Sequence, residues 1–370
     1  MTDRVCFLMH TGYDAFLLNS NVNRSGAEVQ MALIAKYLFE VGYDIEIVCQ
    51  HNTMSDKYID HEYLVTTIPK YTFADTINLM NRYFFHIVKR PADIYITRMV
   101  TPLLPIYRFA TYLVNKPLLF SSASQYDVMR KFSGKKLPRA LIPFCRYALR
   151  SCDAVVAQSK WQKQMLEQNH AKESTVISNA IDLNYWKPSQ IRKKKNLNVA
   201  WIGNIRPVKR FDRLIDIAKL CPSINFIAIG DKINDSGIDF QSLPNNLLWV
   251  GKKNKNEVKE LLQNSSILIN TSEAEGFPNT ILEARGMGLY TLLFRVESLS
   301  TGFIDDDEYL GKFVDTCQEA ADVIHKFFRS SNNWKMQSRD IILNWVQNYS
   351  IHIVGRKWVK LIRSVTNSHS

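Results

Sequence analysis

The chain of 370 residues has six cysteines, none in CxxC spacing. Scattered cysteines argue against a structural zinc site and for reduced thiols in a cytosolic compartment. Long apolar runs are missing too. The most apolar stretch of membrane length, 99–120, is broken by Pro102, Pro105 and Pro117 and carries Arg108 and Lys116, which rules it out as a transmembrane helix. The first ten residues lack a signal-peptide core and cleavage site, and Arg4-Val-Cys-Phe-Leu-Met9 reads as a strand. The eight histidines show no HExxH or triad spacing, so zinc or hydrolase chemistry has no support. No fixed-period repeat or low-complexity tract is present. Acid is absent where base is dense: between Met129 and Arg150 there are seven Lys or Arg and no Asp or Glu.

What the chain does contain is a 46% apolar composition, ample for packed interiors, and a length that suggests two or three domains. Its net charge of +12 favours polyanionic partners: nucleic acid, anionic lipid or phosphorylated substrates. Within the basic stretch Lys135, Arg139, Arg146 and Arg150 fall at helical spacing, beside apolar Leu141, Phe144, Cys145, Ala148 and Leu149, and Pro143 interrupts any single helix. Two readings stand side by side, a membrane-surface patch and a solvated basic face over a core helix.

Strand and helix signals alternate, which implies an α/β fold with parallel sheets. In the first half, strands are expected at 5–9, 44–49, 93–97, 118–122 and 153–157, with a helix over 26–40. The charged run Arg192-Lys-Lys-Lys-Asn196 reads as an interdomain crossing. A second α/β series starts at 197–202. It continues with strands at 225–230, 247–251, 267–270 and 290–294 and helices at 211–220, 255–263 and 280–287. The tail from Trp334 to Val365 is expected to be helical.

The stretch Glu275-Gly-Phe-Pro-Asn-Thr-Ile-Leu-Glu283 carries most information. Its turn, Gly276-Phe277-Pro278, leads into a helix whose first amides have no intrahelical acceptor and suit an oxygen-rich ligand. Glu275 lies in the loop, and Glu283 lies about two turns into the helix, placed to reach another part of the same ligand. The fuller string Thr271-Ser-Glu-Ala-Glu-Gly-Phe-Pro-Asn-Thr-Ile-Leu-Glu-Ala284 resembles the Glu-x7-Glu motif of the retaining glycosyltransferases of family 4. That resemblance covers nearly the whole chain. It implies the GT-B fold: an α/β chain of two Rossmann-like domains facing across a cleft, with a C-terminal helix crossing back to the first. The implied divisions are an acceptor domain over 1–185, a donor domain over 186–345 and a returning helix over 346–370.

Gly203-Asn-Ile-Arg-Pro-Val-Lys-Arg-Phe-Asp212 is similar to the family's phosphate-gripping segment, in which an Arg follows the Gly and a Lys comes five residues later. Lys209 matches that Lys, Asn204 stands in the Arg position, and Arg206 is the candidate replacement. Several cations at a helix start oppose the helix dipole, which favours a bound anion over idle surface charge for Arg206, Lys209 and Arg210. By the same resemblance Glu275 would accept from sugar hydroxyls, helped by the segment Gly276, Phe277, Pro278, Asn279 and Thr280. Glu283 would hold the ribose and the base would lie near 249–252. Arg24-Ser-Gly-Ala-Glu28 is similar to the family's Gly-Gly-Ala-Glu loop, with Gly26 allowing close approach to the donor. The family's first-domain His is absent from 118–128, where Gln125 and Asp127 are acceptor candidates, Asp127 also reading as a helix cap.

Asp305-Asp-Asp-Glu308 invites a Mg²⁺ reading, but a solvated turn accounts for it, and the family uses no metal. No cofactor is expected beyond the nucleotide-diphosphate sugar. The resulting expectation is a cytoplasmic, metal-independent, retaining hexosyltransferase, peripheral on the inner membrane face. It would act on a glycan or lipid-linked acceptor, without nucleic acid. The rivals are a sugar-nucleotide epimerase or hydrolase on the same fold and a non-catalytic binder of polyanions.

Overall fold

A computed structural model describes residues 3–10, 26–51, 55–59, 63–69, 76–132, 137–188, 198–232, 237–300 and 307–369. The chain divides into two compact units, Met1–Ala180 with Ile351–Ser370, and Ile181–Ser350.

The first unit contains, in order, β1 (Arg4–Leu8), α1 (Gly26–Glu40), β2 (Asp44–His51), β3 (Ser55–Ile59), β4 (Tyr63–Pro69) and α2 (Thr76–Lys89). There follow β5 (Ile94–Arg98), α3 (Leu104–Leu113), β6 (Leu118–Ser121), α4 (Ile142–Ser151), β7 (Ala154–Ala157), α5 (Lys160–His170) and β8 (Thr175–Val176). Its eight strands lie in the order β3-β4-β2-β1-β5-β6-β7-β8, all parallel except the β3–β4 pair. Successive side chains of β1 point to opposite faces. Val5 and Phe7 pack with α1 on one side, and Cys6 and Leu8 pack with α2, α3 and α4 on the other. Burial on both faces explains why these strands read as apolar runs.

The second unit contains β9 (Asn198–Ile202), α6 (Phe211–Leu220), β10 (Asn225–Ile229), β11 (Leu247–Trp249), α7 (Lys255–Gln263), β12 (Ile267–Asn270), α8 (Asn279–Gly286) and β13 (Tyr290–Phe294). It continues with α9 (Glu297–Ser300), β14 (Gly311–Val314), α10 (Cys317–Arg329) and α11 (Asn332–Trp345). Its sheet is wholly parallel, in the order β11-β10-β9-β12-β13-β14. β9 therefore has its successor on one side and β12 on the other, which makes the carboxyl ends of β9 and β12 the switch point where such sheets bind ligands. Last comes α12 (Ile351–Asn367), which belongs to the first unit and puts Val354, Trp358 and Ile362 into its core.

One expectation needs correcting. The tail is not one helix: α11 stops at Trp345, a 3-10 turn spans Val346–Tyr349, and extended Ser350 precedes α12. The turn is held because Val346 is buried and the Ile181 amide donates to Tyr349 O. No single helix spans the basic stretch: a 3-10 turn covers Arg139–Leu141 and α4 begins at Ile142, with Pro143 in its first turn, where its missing N–H has no intrahelical role. On α4, Cys145, Ala148 and Leu149 pack inward while Phe144 and Tyr147, three residues apart, point to solvent.

Candidate active site

Both loops of the candidate site leave the switch-point strands of the second unit. After β9 the chain passes Gly203 and Asn204 into a 3-10 turn, Pro207–Lys209, with Arg206 as its extended N-cap residue. Gly230 at the end of β10 makes the crossing possible, since a Cβ there would lie 1.9 Å from Gly203 O. Two bonds tie the turn to the loop after β12, and a third ties β9 to it: Thr271 Oγ1 donates to Lys209 O at 2.7 Å, the Glu273 amide donates to Val208 O at 2.9 Å, and Trp201 Nε1 donates to Thr271 Oγ1 at 2.9 Å.

This fixes Lys209 against Glu275, with Nζ 2.5 Å from Oε1. The same oxygen accepts from Ser272 Oγ at 2.7 Å and Asn270 Nδ2 at 3.0 Å, while Ser298 Oγ donates to the Glu275 carbonyl at 2.7 Å. Burial alone would raise the Glu275 carboxyl, but the Lys209 charge and the three donors together hold it below the usual glutamate value. All of these bonds fall on Oε1, which leaves Oε2 without a protein donor among the described residues. Glu275 is thus an ionised, clamped carboxylate with one oxygen uncommitted.

Pro278 starts α8, and Phe277 is buried against Tyr349 with ring centroids 5.7 Å apart. Gly276, Asn279 and Thr280 are half-buried beside them. Glu283 projects from the second turn of α8 with no hydrogen-bond or ion-pair partner for its carboxylate among the described residues. Burial pushes it up to about 7, offset in part by the Lys255 charge. Around it, the Lys255 ammonium lies 3.9 Å from the Tyr185 ring centroid, and Tyr185 donates to Asn256 Oδ1 at 2.6 Å.

The cations of the β9 loop separate into two kinds. Arg210 has a left-handed backbone (φ 48°), and its guanidinium is taken up by Asp212, at 2.6–3.0 Å, and by Glu273. These carboxylates neutralise it at the start of α6, so the phosphate reading does not extend to Arg210. Arg206 is exposed, and its side chain has no ion-pair or hydrogen-bond partner among the described residues. Asn204, also exposed, only accepts from the Asp231 amide, at 3.4 Å.

In the first unit, Gly26 is the exposed first residue of α1, while Arg24 and Ser25 lie outside the described residues. Asp127 is fully buried: Oδ1 accepts from the Val100 amide, and Oδ2 from the amides of Ala123 and Ser124 and from Ser124 Oγ, at 2.8–3.0 Å. That is a cap, and a carboxylate so enclosed is not placed to take a proton from an acceptor. Gln125, two residues earlier, is half-buried. Lys135 lies outside the described residues, Arg139 is in a separate 3-10 turn, and Arg146 and Arg150 are on α4, donating to the carbonyls of Arg130 and His170. Asp305 and Asp306 also lie outside, and Asp307 accepts from the Tyr309 amide within its own turn. Among the described residues one group has metal-ligand spacing, Cys6, Glu46 and His86 in the first unit, and there the Arg4 guanidinium already lies 3.1 Å from Glu46. No helix among them is long and apolar enough to cross a membrane.

Sequence reasoning missed Asn270, Ser272 and Ser298 around Glu275, and Lys255 and Tyr185 beside Glu283.

A family model described as glycosyl transferases group 1 matches residues 184–340, and one described as Glycosyltransferase Family 4 matches residues 24–185. An uncharacterized glycosyltransferase of Haemophilus influenzae is 21% identical over 363 residues, covering 91% of this chain and 96% of its own. Among solved structures, Anabaena Alr3699/HepE in complex with UDP superposes with a TM-score of 0.76 at 15% identity, over 98% of this chain and 100% of that one. WaaG, a glycosyltransferase involved in lipopolysaccharide biosynthesis, does so with a TM-score of 0.68 at 14% identity, over 97% and 99%. At these identities the two structures speak to the fold. The chain belongs to glycosyltransferase family 4, and its two parallel α/β sheets form the GT-B fold of that family.

Proposed function

We propose that this glycosyltransferase is retaining and metal-independent, and that it transfers a sugar from a nucleotide-diphosphate sugar to a glycan or lipid-linked acceptor in cell-surface polysaccharide or glycolipid synthesis. The observation that carries the reading is the pairing, at one switch point, of the clamped Lys209–Glu275 ion pair with an unpartnered, half-buried Glu283. A buried carboxylate without donors is costly unless a ligand supplies them, and the two adjacent hydroxyls of a ribose would do so. Departure of the diphosphate develops negative charge, which Arg206, together with the Lys209 ammonium held against Glu275, would neutralise without a metal. The uncommitted oxygen of Glu275 would accept from a sugar hydroxyl. Gly276, Phe277, Pro278, Asn279 and Thr280 would line the phosphate and sugar at the start of α8. Asn204 would contribute a neutral amide where the family has a cation, and Gly26 would admit the donor from the first unit. Gln125 is the better acceptor candidate there, with Asp127 holding its turn. The UDP bound by HepE and the lipopolysaccharide role of WaaG support a nucleotide-sugar donor and a glycolipid acceptor. Arg139, Arg146 and Arg150, with Lys135 near them in sequence, would favour an anionic membrane surface, in keeping with a cytoplasmic enzyme peripheral to the membrane.

The test is a thermal-shift screen with UDP-, GDP- and ADP-sugars, each with and without EDTA. A shift with one nucleotide class, insensitive to EDTA and lost in Glu283→Ala, supports the donor site and names the base. No shift with any donor sinks it. Nuclear magnetic resonance of the product's anomeric proton then reports retention or inversion.

A further inference from the structure

Thirteen large apolar side chains stand exposed among the described residues, and eight of them lie on α2, α3 and α4, including all five aromatics: Phe85, Phe109, Tyr112, Phe144 and Tyr147. Scattered apolar residues need no explanation, but a contiguous cluster does. The cluster is contiguous because the three helices cover the same side of the first unit's sheet. Tyr83 and Ile87 of α2, Tyr107 and Ala110 of α3, and Cys145 and Ala148 of α4 all enter one core. Their opposite sides therefore turn outward in common. The Phe84 ring stacks on Phe109 at 5.9 Å and meets Phe85 at 5.5 Å, joining the outer surfaces of α2 and α3, and α3 also packs against α4.

The charge on these helices has one sign. Together they carry Arg82, Lys89, Arg108, Arg146 and Arg150 and no Asp or Glu. Lys89 lies 5.6 Å from the Phe85 ring centroid and Arg108 lies 5.9 Å from that of Tyr112, so the cations sit beside the exposed rings. Arg108 is also paired with Asp153 at 3.4 Å. A second copy of the chain would be a poor cover, because two such faces in contact would oppose cation to cation. A nucleic acid would leave the aliphatic members, Leu113 among them, without a base to stack on.

We propose that the α2–α3–α4 face docks on an anionic phospholipid bilayer, the aromatic side chains entering the boundary between headgroups and acyl chains and the cations lying among the phosphates. The inference deepens the membrane reading proposed above and rests on it, replacing simple charge attraction with an inserted apolar face. Rings with an apolar body beside a cation suit that boundary, as in other interfacial helices. Each anchored large side chain is worth roughly tenfold in partitioning.

The experiment is co-sedimentation of the full chain with vesicles of equimolar phosphatidylcholine and phosphatidylglycerol, and with phosphatidylcholine alone. Three proteins are compared: wild type, Phe109→Ser/Tyr147→Ser and Lys89→Glu. The altered side chains are exposed, and a nucleotide-sugar thermal shift on each protein reads the second unit separately, so failure of the donor site and failure of the docking face are distinguishable. The expected result is binding to anionic vesicles that weakens with salt, falls at least about tenfold in the double variant, and falls by less in Lys89→Glu. Equal binding by wild type and double variant, or no preference for the anionic vesicles, would overturn the proposal. So would dimerisation of the wild type in sedimentation equilibrium that the double variant abolishes, which would make the face a self-interface, or binding to single-stranded RNA in preference to vesicles.

Discussion

Glu283→Gln should make the free protein more stable at pH 8 while weakening its hold on a nucleotide sugar. Burial moves the Glu283 carboxyl from its ordinary 4.5 up to about 7. Between those values the folded chain binds a proton that the unfolded chain has lost, so stability falls as pH rises through the window. At about 1.4 kcal/mol per unit, a displacement of roughly two and a half units amounts to at most about 3.5 kcal/mol, reached above pH 7, and to about 3 kcal/mol for a side chain only half-buried. Glutamine carries no charge and escapes that penalty. Below pH 4.5 both side chains are neutral, and the two proteins should melt together. Above it the gap should open, then level off past pH 7. For a unit of roughly 170 residues, about 3 kcal/mol corresponds to roughly 6–12 °C in Tm. Calorimetric melting of both proteins across this pH range, without ligand, provides the measurement. Equal melting at pH 8, or a gap that does not change with pH, would refute the claim that Glu283 is held ionised at a cost. A saturating donor should then raise the wild-type Tm more than the variant's, because ribose hydroxyls supply the missing partners.

Lys209→Ala leaves the clamped Glu275 without its cation. It should cost about 3 kcal/mol in stability and lower kcat by about 10²–10³, and a Lys209/Glu275 double-mutant cycle read by Tm should return a coupling of at least about 1 kcal/mol. Glu275 is held below its ordinary value, so the stability the pair provides should be present at neutral pH and lost as pH falls below about 4.5, as a melt series will show. Arg206→Ala should leave stability within about 0.5 kcal/mol of wild type, since the side chain is exposed and makes no hydrogen bond or ion pair among the described residues, yet reduce kcat/KM by about tenfold to a hundredfold. Gly230→Ala should fail to give a folded second unit, seen as loss of the soluble fraction, because the added methyl meets the Gly203 carbonyl.

Much of the fold could be read from the sequence because doubly buried parallel strands are apolar over their whole length. β1, β9 and β12 announce themselves in that way. The antiparallel β3–β4 pair did not, since Ser-Asp-Lys-Tyr-Ile has neither an apolar run nor alternation. α2 was missed although its inward stripe, Leu79, Tyr83 and Ile87, is regular, with Phe85 and Val88 exposed on the outer side. The loop carrying Glu275 and Glu283 was visible because its turn and helix start are local in sequence. The pairings that set its electrostatics were not: Lys209, itself read from the β9 loop, stands 66 positions from Glu275, and the Lys255 charge acts on Glu283 from another helix. Arg210 could not be told from Arg206 by spacing, and only the folded chain shows which cation already has its carboxylates.

The chain leaves the first unit at Ala180 and regains it only at Ile351, so a ribosome must make the whole second unit before α12 is available to the first. At about 5–20 residues per second that interval is roughly 10–30 s. Throughout it, the groove that will take Val354, Trp358, Ile362 and Val365 lies open to water, and Gly355 has yet to settle against Tyr37, where a Cβ would lie 2.2 Å from the ring. The second unit is contiguous and can close its own sheet first. Synthesis order is thereby inverted: the half that emerges first is completed last. A released chain truncated after Ser350 should bind chaperones through the first unit alone.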